Sequence, residues 1–222
     1  MKQDRWTLLH SILCLMLVPI FVAVQDALQF LWLSALGLSL VTLSFFALLI
    51  QSREPFWAAD RISIARIFLA LSVVAVYWLE PSAGWVAFFL ATLAAISDLV
   101  DGLVARRQGP TARGAKLDME ADAFLMLVLS LCAQRFGGVF PLILVPGVVR
   151  YAFVITESMV GKGQPDVPSR PKAKVLCAVS VALLVAAQAP VLPLILRGLL
   201  GAVAAGMIVY SFTPDFRALK WN

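Results

Sequence analysis

The chain is short of charge. Only 14% of its 222 residues are Asp, Glu, Lys or Arg, against about 25% in an ordinary globular domain. So little polar surface cannot cover a water-soluble fold of this length, and disorder and long coiled coils are excluded with it. Cysteine is scarce as well. Cys14, Cys132 and Cys177 are odd in number, far apart and each inside an apolar run, which gives neither a disulfide framework nor a metal-ligand spacing. The single histidine, His10, opens the first apolar run with no Cys, Asp or Glu in ligand register. Any chemistry must therefore rest on carboxylates. What the chain has in abundance is apolar sequence, 61% of residues with a mean hydropathy of +0.91. It reads as an integral membrane protein. Its net charge of +5 then belongs to topology rather than to nucleic acid, because basic residues bordering apolar spans set orientation.

A helical span needs about 20 apolar residues. Segments of that kind lie near 7–24, 28–50, 62–79, 84–104, 117–134, 138–160, 173–189 and 191–212. The expected fold is all-α, a polytopic membrane helix bundle. Residues 1–54 form an N-terminal two-span hairpin, 55–215 a six-span core and 216–222 a short tail. The first run is kept as a span rather than a signal peptide, since no small-x-small cleavage site precedes Asp26 and a second span follows at once. With the N-terminus inside, fifteen of the eighteen Lys and Arg residues fall on the inner side, against Arg135 and Arg197 outside and Arg150 within a span. Both termini are thus expected in the cytoplasm, with a bacterial inner membrane as the expected compartment.

Five carboxylates, Asp98, Asp101, Asp118, Glu120 and Asp122, crowd into 25 residues at the cytoplasmic ends of two adjacent spans. Ionisable groups there are costly unless paired or bound to a cation, and they mark function. At 100° per residue Asp98, Asp101, Gly102 and Ala105 share an arc of about 100°. On the next span Gly114, Asp118 and Asp122 stack at i, i+4 and i+8, with Glu120 pointing elsewhere. Two antiparallel helices facing each other would bring four aspartates to one point, where they cannot all ionise without a counter-cation. Arg106, Arg107, Arg113 or Lys116 can supply it as salt bridges. Oxygen-only ligands equally suit Mg²⁺ or Mn²⁺, and two ions sharing bridging carboxylates clamp a phosphoryl group in known two-metal chemistry. Gly102, Ala105 and Gly114 leave room for a ligand against the helix backbone, or for close helix packing.

The stretch Asp98-x2-Asp101-Gly102-x2-Ala105-Arg106-x7-Gly114-x3-Asp118-x3-Asp122 resembles the complete signature of the CDP-alcohol phosphotransferase (CDP-alcohol phosphatidyltransferase) family. That resemblance implies a phospholipid-synthesis enzyme that moves a substituted phosphate, such as phosphatidyl, from a CDP-alcohol lipid donor to a small acceptor alcohol and releases CMP. It implies two divalent ions, Mg²⁺ or Mn²⁺, on Asp98, Asp101, Asp118 and Asp122, with Asp122 also the general base. Gly102, Ala105, Arg106 and Gly114 would line the nucleotide pocket, and a homodimer is expected. A flanking Asn-x-x-Thr-x-x-Arg element of the family is echoed by Asp60, Ser63 and Arg66, which departs at the first position and adds Ser63 to the nucleotide contacts. A Gly-Lys-x-Lys-Thr element of glycerophosphate-accepting members is echoed by Pro171-Lys172-Ala173-Lys174-Val175, with the lysines kept and the glycine and threonine lost.

Arg150 is a cation inside a span and needs an anion. Glu157, two turns along, is one expected partner. With Arg170, Lys172 and Lys174 it can instead receive a phosphate on the acceptor, which points to glycerol 3-phosphate or inositol phosphate. Serine or an uncharged alcohol stays open, as does a purely topological role for the lysines. The competing reading from another class is a cation-coupled transporter using the intramembrane aspartates. It predicts charges spread through the depth of the membrane and an internal repeat, whereas here the charges cluster at one face and no repeat is found. An intramembrane prenyltransferase would place its two Asp-rich motifs on well-separated helices.

Overall fold

The computed structural model describes residues 5–24, 31–51, 57–79, 82–108, 111–137, 141–160 and 171–219, with the backbone alone at 101–108 and at several helix ends. Among these residues there is no strand. Eight α-helices follow one another: α1 Arg5–Val24, α2 Leu31–Gln51, α3 Ala58–Leu79, α4 Gly84–Gln108, α5 Ala112–Gly137, α6 Val145–Val160, α7 Pro171–Ala187 and α8 Leu194–Ala218. A 3-10 turn, Pro141–Leu144, leads into α6. Each helix falls on one of the apolar segments seen in the sequence. Five stretches, α1, α2, α3, Leu142–Val160 and α8, are long and apolar enough to cross a membrane, while the apolar part of α4, Gly84–Asp98, is shorter. The chain is an all-helical integral membrane protein.

Helix ends depart from the apolar boundaries where polar caps extend them. α3 starts at Ala58 rather than 62, because the carboxylate of Asp60 accepts a hydrogen bond from the Trp57 backbone N–H at 2.9 Å. That is one half of a capping box. α5 starts at Ala112 rather than 117, because the Thr111 hydroxyl oxygen accepts from the Gly114 N–H at 2.9 Å, an N-cap bond. The segment expected over 138–160 is broken instead: the turn beginning at Pro141 precedes a helix that starts at Val145, in keeping with proline's lack of an amide donor.

α5 is the centre of the bundle. Every residue from 123 to 133 is buried, the signature of a helix covered on all sides. α3, α6, α7 and α8 pack around it, and the α1–α2 hairpin covers what remains, α1 lying on α6 and α5. The approach of α6 is close: a Cβ on Gly147 would lie 2.6 Å from the Leu127 Cα. At the end of α5 away from the aspartates, Gln188 ties three helices together. It accepts from the Tyr77 hydroxyl at 2.8 Å and donates to the Leu129 carbonyl at 2.9 Å.

Candidate active site

α3 runs along both α4 and α5, which touch each other far less. A long side chain of α3 that faces this seam level with the aspartates can therefore reach the carboxylates of both neighbours. Arg66 is that side chain, and it is wholly buried. Its Nε donates to the Ser97 hydroxyl oxygen at 3.3 Å. Its Nη1 donates to Asp118 at 3.1 Å and to Asp122, and its Nη2 pairs with Asp98 at 3.4 Å. Ser97 is held in turn by donating to the Ala94 carbonyl at 2.7 Å.

The three aspartates converge as the helical spacing requires. One oxygen from each of Asp98, Asp118 and Asp122 lies within 4.8 Å of the others. Their side chains stay 42–44% exposed, so the cluster is open to a ligand on the side away from Arg66. Three carboxylate oxygens with no nitrogen or sulfur among them form the donor set that Mg²⁺ and Mn²⁺ prefer. The residues fit a hard divalent cation.

The counter-cation that the structure describes is one that spacing alone did not point to. The side chains of Arg106 and Arg107 lie outside the described residues. Arg113 donates to Asp60 at 2.7 Å, a pair buried on both sides, and the cluster is served by Arg66 from a separate helix. The signal for Arg66 lay in its place at the end of the Asp60, Ser63, Arg66 spacing. Ser97 carried no signal.

Other expected residues fall as follows. Asp101, Gly102, Ala105 and Arg106 continue α4 beyond Asp98, and their side chains lie outside the described residues, as does Arg170. Ser63 is buried beside the seam, its hydroxyl donating to the Ala59 carbonyl at 3.3 Å. Gly114 marks a close crossing of α3 and α5: a Cβ there would sit 2.8 Å from the Thr111 hydroxyl and 3.1 Å from an Asp60 carboxylate oxygen. Lys172 and Lys174 stand exposed in the first turn of α7. The carboxylate that meets Arg150 is Glu120 of α5, at 2.8 Å, in place of Glu157. Glu120 is near enough because α6 crosses α5 closely at Gly147, which a one-helix register argument cannot reveal.

The model of the CDP-alcohol phosphatidyltransferase family matches residues 56–210. The chain belongs to this family. No curated protein and no solved structure gives a significant match. The matched stretch runs from the start of α3 into α8, and α1 and α2 precede it. The aspartates on α4 and α5 and the arginine on α3 all lie within that stretch.

Proposed function

We propose that the protein transfers a phosphatidyl group from a CDP-diacylglycerol-type donor to an acceptor alcohol that itself bears a phosphate, glycerol 3-phosphate or an inositol phosphate. The reading is carried by the meeting of Asp98, Asp118 and Asp122 oxygens within 4.8 Å at the open side of a buried arginine. Asp101 completes the set from the next turn of α4. These aspartates would hold divalent ions, whose charge would offset that of the donor diphosphate and the departing CMP. The protein's own work is placement. Gly102 and Ala105 leave space for the nucleotide against the α4 backbone, Gly114 completes the pocket by letting α5 approach α3 beside it, and Ser63 and Arg106 stand at its edge. Asp122 takes the proton from the acceptor hydroxyl. That oxygen forms a bond to the β-phosphorus, the bond from the β-phosphorus to the CMP oxygen breaks, and CMP leaves. Lys172 and Lys174, with Arg170, receive the acceptor phosphate. The catalytic core is 55–215, and its aspartates face the cytoplasm.

The test is CMP release by the purified, lipid-reconstituted protein given CDP-diacylglycerol and Mg²⁺. Glycerol 3-phosphate, inositol phosphate, inositol and serine are offered separately, each with an EDTA control. Release with one phosphorylated acceptor, abolished by EDTA, is the expected result; release with serine or inositol alone would overturn the acceptor assignment. Asp122→Asn should lower kcat by about 10²–10⁴, the usual worth of a general base, while the protein still binds Mn²⁺ through Asp98 and Asp118. A variant with near-normal kcat would remove Asp122 as the base.

A further inference from the structure

α5 carries two interleaved stripes. Gly114, Asp118 and Asp122 face the α3–α4 seam, where Asp118 and Asp122 meet Arg66. Lys116, Glu120 and Phe124 repeat the same i, i+4, i+8 spacing, offset by about 200° and so on nearly the opposite face. Each member of this second stripe has a defined footing. The Lys116 ammonium lies over the Trp6 ring of α1, 4.6 Å from its centroid. Glu120 pairs with Arg150 of α6 at 2.8 Å. Phe124 meets Phe45 of α2 edge-on at 5.8 Å.

The hairpin side of that footing is itself fixed. The Trp6 indole N–H donates to the Ser44 carbonyl at 2.7 Å. His10 stacks on Trp6 at 4.9 Å and shares a 2.6 Å hydrogen bond with the Ser44 hydroxyl. His10 also presents its ring to Phe45 at 4.5 Å and to Tyr151, next to Arg150, at 6.1 Å. His10 and Ser44 are buried. A membrane anchor would need none of this. Apolar length alone holds a hairpin in a bilayer, whereas here an aromatic and hydrogen-bonded block is built against the back of the one helix whose front carries two of the clustered aspartates.

We infer that the α1–α2 hairpin is a positioning element of the active site, in which Trp6, through Lys116, sets the rotation and height of α5 and hence the place of Asp118 and Asp122. This rests on the metal-binding reading of those aspartates given above. The hairpin precedes the stretch matched by the family model, so this control is supplied from outside that stretch.

The experiment uses the full-length protein in nanodiscs. Trp6→Leu removes the ring face and the indole donor. Trp6→Phe keeps a ring face and loses the donor. Lys116→Met removes the cation at a half-exposed position and does not endanger folding. Mn²⁺ affinity is read by electron paramagnetic resonance, and kcat and KM are read from CMP release. Trp6→Leu and Lys116→Met should each weaken Mn²⁺ binding and lower kcat by about tenfold, between what an exposed and a desolvated cation–π contact carries, with donor KM little changed. The double variant should be no worse than either single one, and Trp6→Phe should recover most of the loss. Unchanged Mn²⁺ affinity and kcat in folded Lys116→Met would overturn the proposal. So would a Trp6→Phe variant as impaired as Trp6→Leu, which would assign the effect to the indole donor or to packing and not to the ring face under Lys116. If the unmodified protein bound no Mn²⁺, the metal reading would fall and the proposal with it, and that result differs from one seen only in the variants.

Discussion

A guanidinium with no exposure must have its charge answered by immediate neighbours, because burying an unpaired charge is prohibitive. Arg66 is answered by three carboxylates from two other helices, and the relation is reciprocal: the aspartates can lie within 4.8 Å of one another because a cation touches all three. Arg66→Met would leave them to repel. The expected loss of stability is about 2–3 kcal/mol in metal-free buffer, below the figure for a dry ion pair because the carboxylates are nearly half exposed. Unfolding in graded denaturant with EDTA measures it, and a change under 0.5 kcal/mol or so, the scatter of ordinary surface substitutions, would mean that Arg66 is not their counter-cation. The aspartates themselves were legible in the sequence, since i, i+4 spacing on one helix is a local property. Arg66 was not legible in the same way. Counting loop cations assigns it to topology, and only the placement of α3 between α4 and α5 shows that it belongs to the site.

Helix positions were legible from apolar run length, and helix ends where a cap residue was recognisable afterwards, as with Asp60 and Thr111. Which helices touch was not, because nearly every apolar face in a membrane protein has the same composition whether it meets lipid or protein. The small residues that decide the matter look alike in sequence. Gly147 and Gly206 are both glycines inside apolar helices, yet a Cβ on Gly147 would lie 2.6 Å from the Leu127 backbone while one on Gly206 would meet nothing within 4 Å. Backbone cannot yield as a flexible side chain can. Gly147→Ala should therefore destabilise by about 1–3 kcal/mol, as overpacking does, and loosen the Glu120–Arg150 contact that the crossing permits. Gly206→Ala should be neutral or stabilising by up to about 1 kcal/mol, from helix propensity alone. Thermal unfolding in one detergent compares the pair, and equal midpoints would show that α6 does not approach α5 so closely.

At the scale of the molecule the informative quantity is the distribution of charge between the two ends of the bundle. Basic residues gather at the end that holds Asp98, Asp118 and Asp122, and removing Arg66 and Arg113 from the count, since both are buried in ion pairs, leaves the asymmetry in place. Orientation follows from loop cations, so this end should face the cytoplasm, where a water-soluble product such as CMP would be released. α7 offers a direct test, because its two ends carry exposed residues, Lys172 at one and Val191 just past the other. Cys14 and Cys132 are buried and Cys177 is half-buried, so a Cys177→Ser background gives little native labelling. In that background, Val191→Cys should react with a membrane-impermeant maleimide in intact cells. Lys172→Cys should react only in inverted vesicles. The reverse pattern would turn the bundle over, place the aspartates and CMP release on the outer side, and contradict the positive-inside reading at its strongest point.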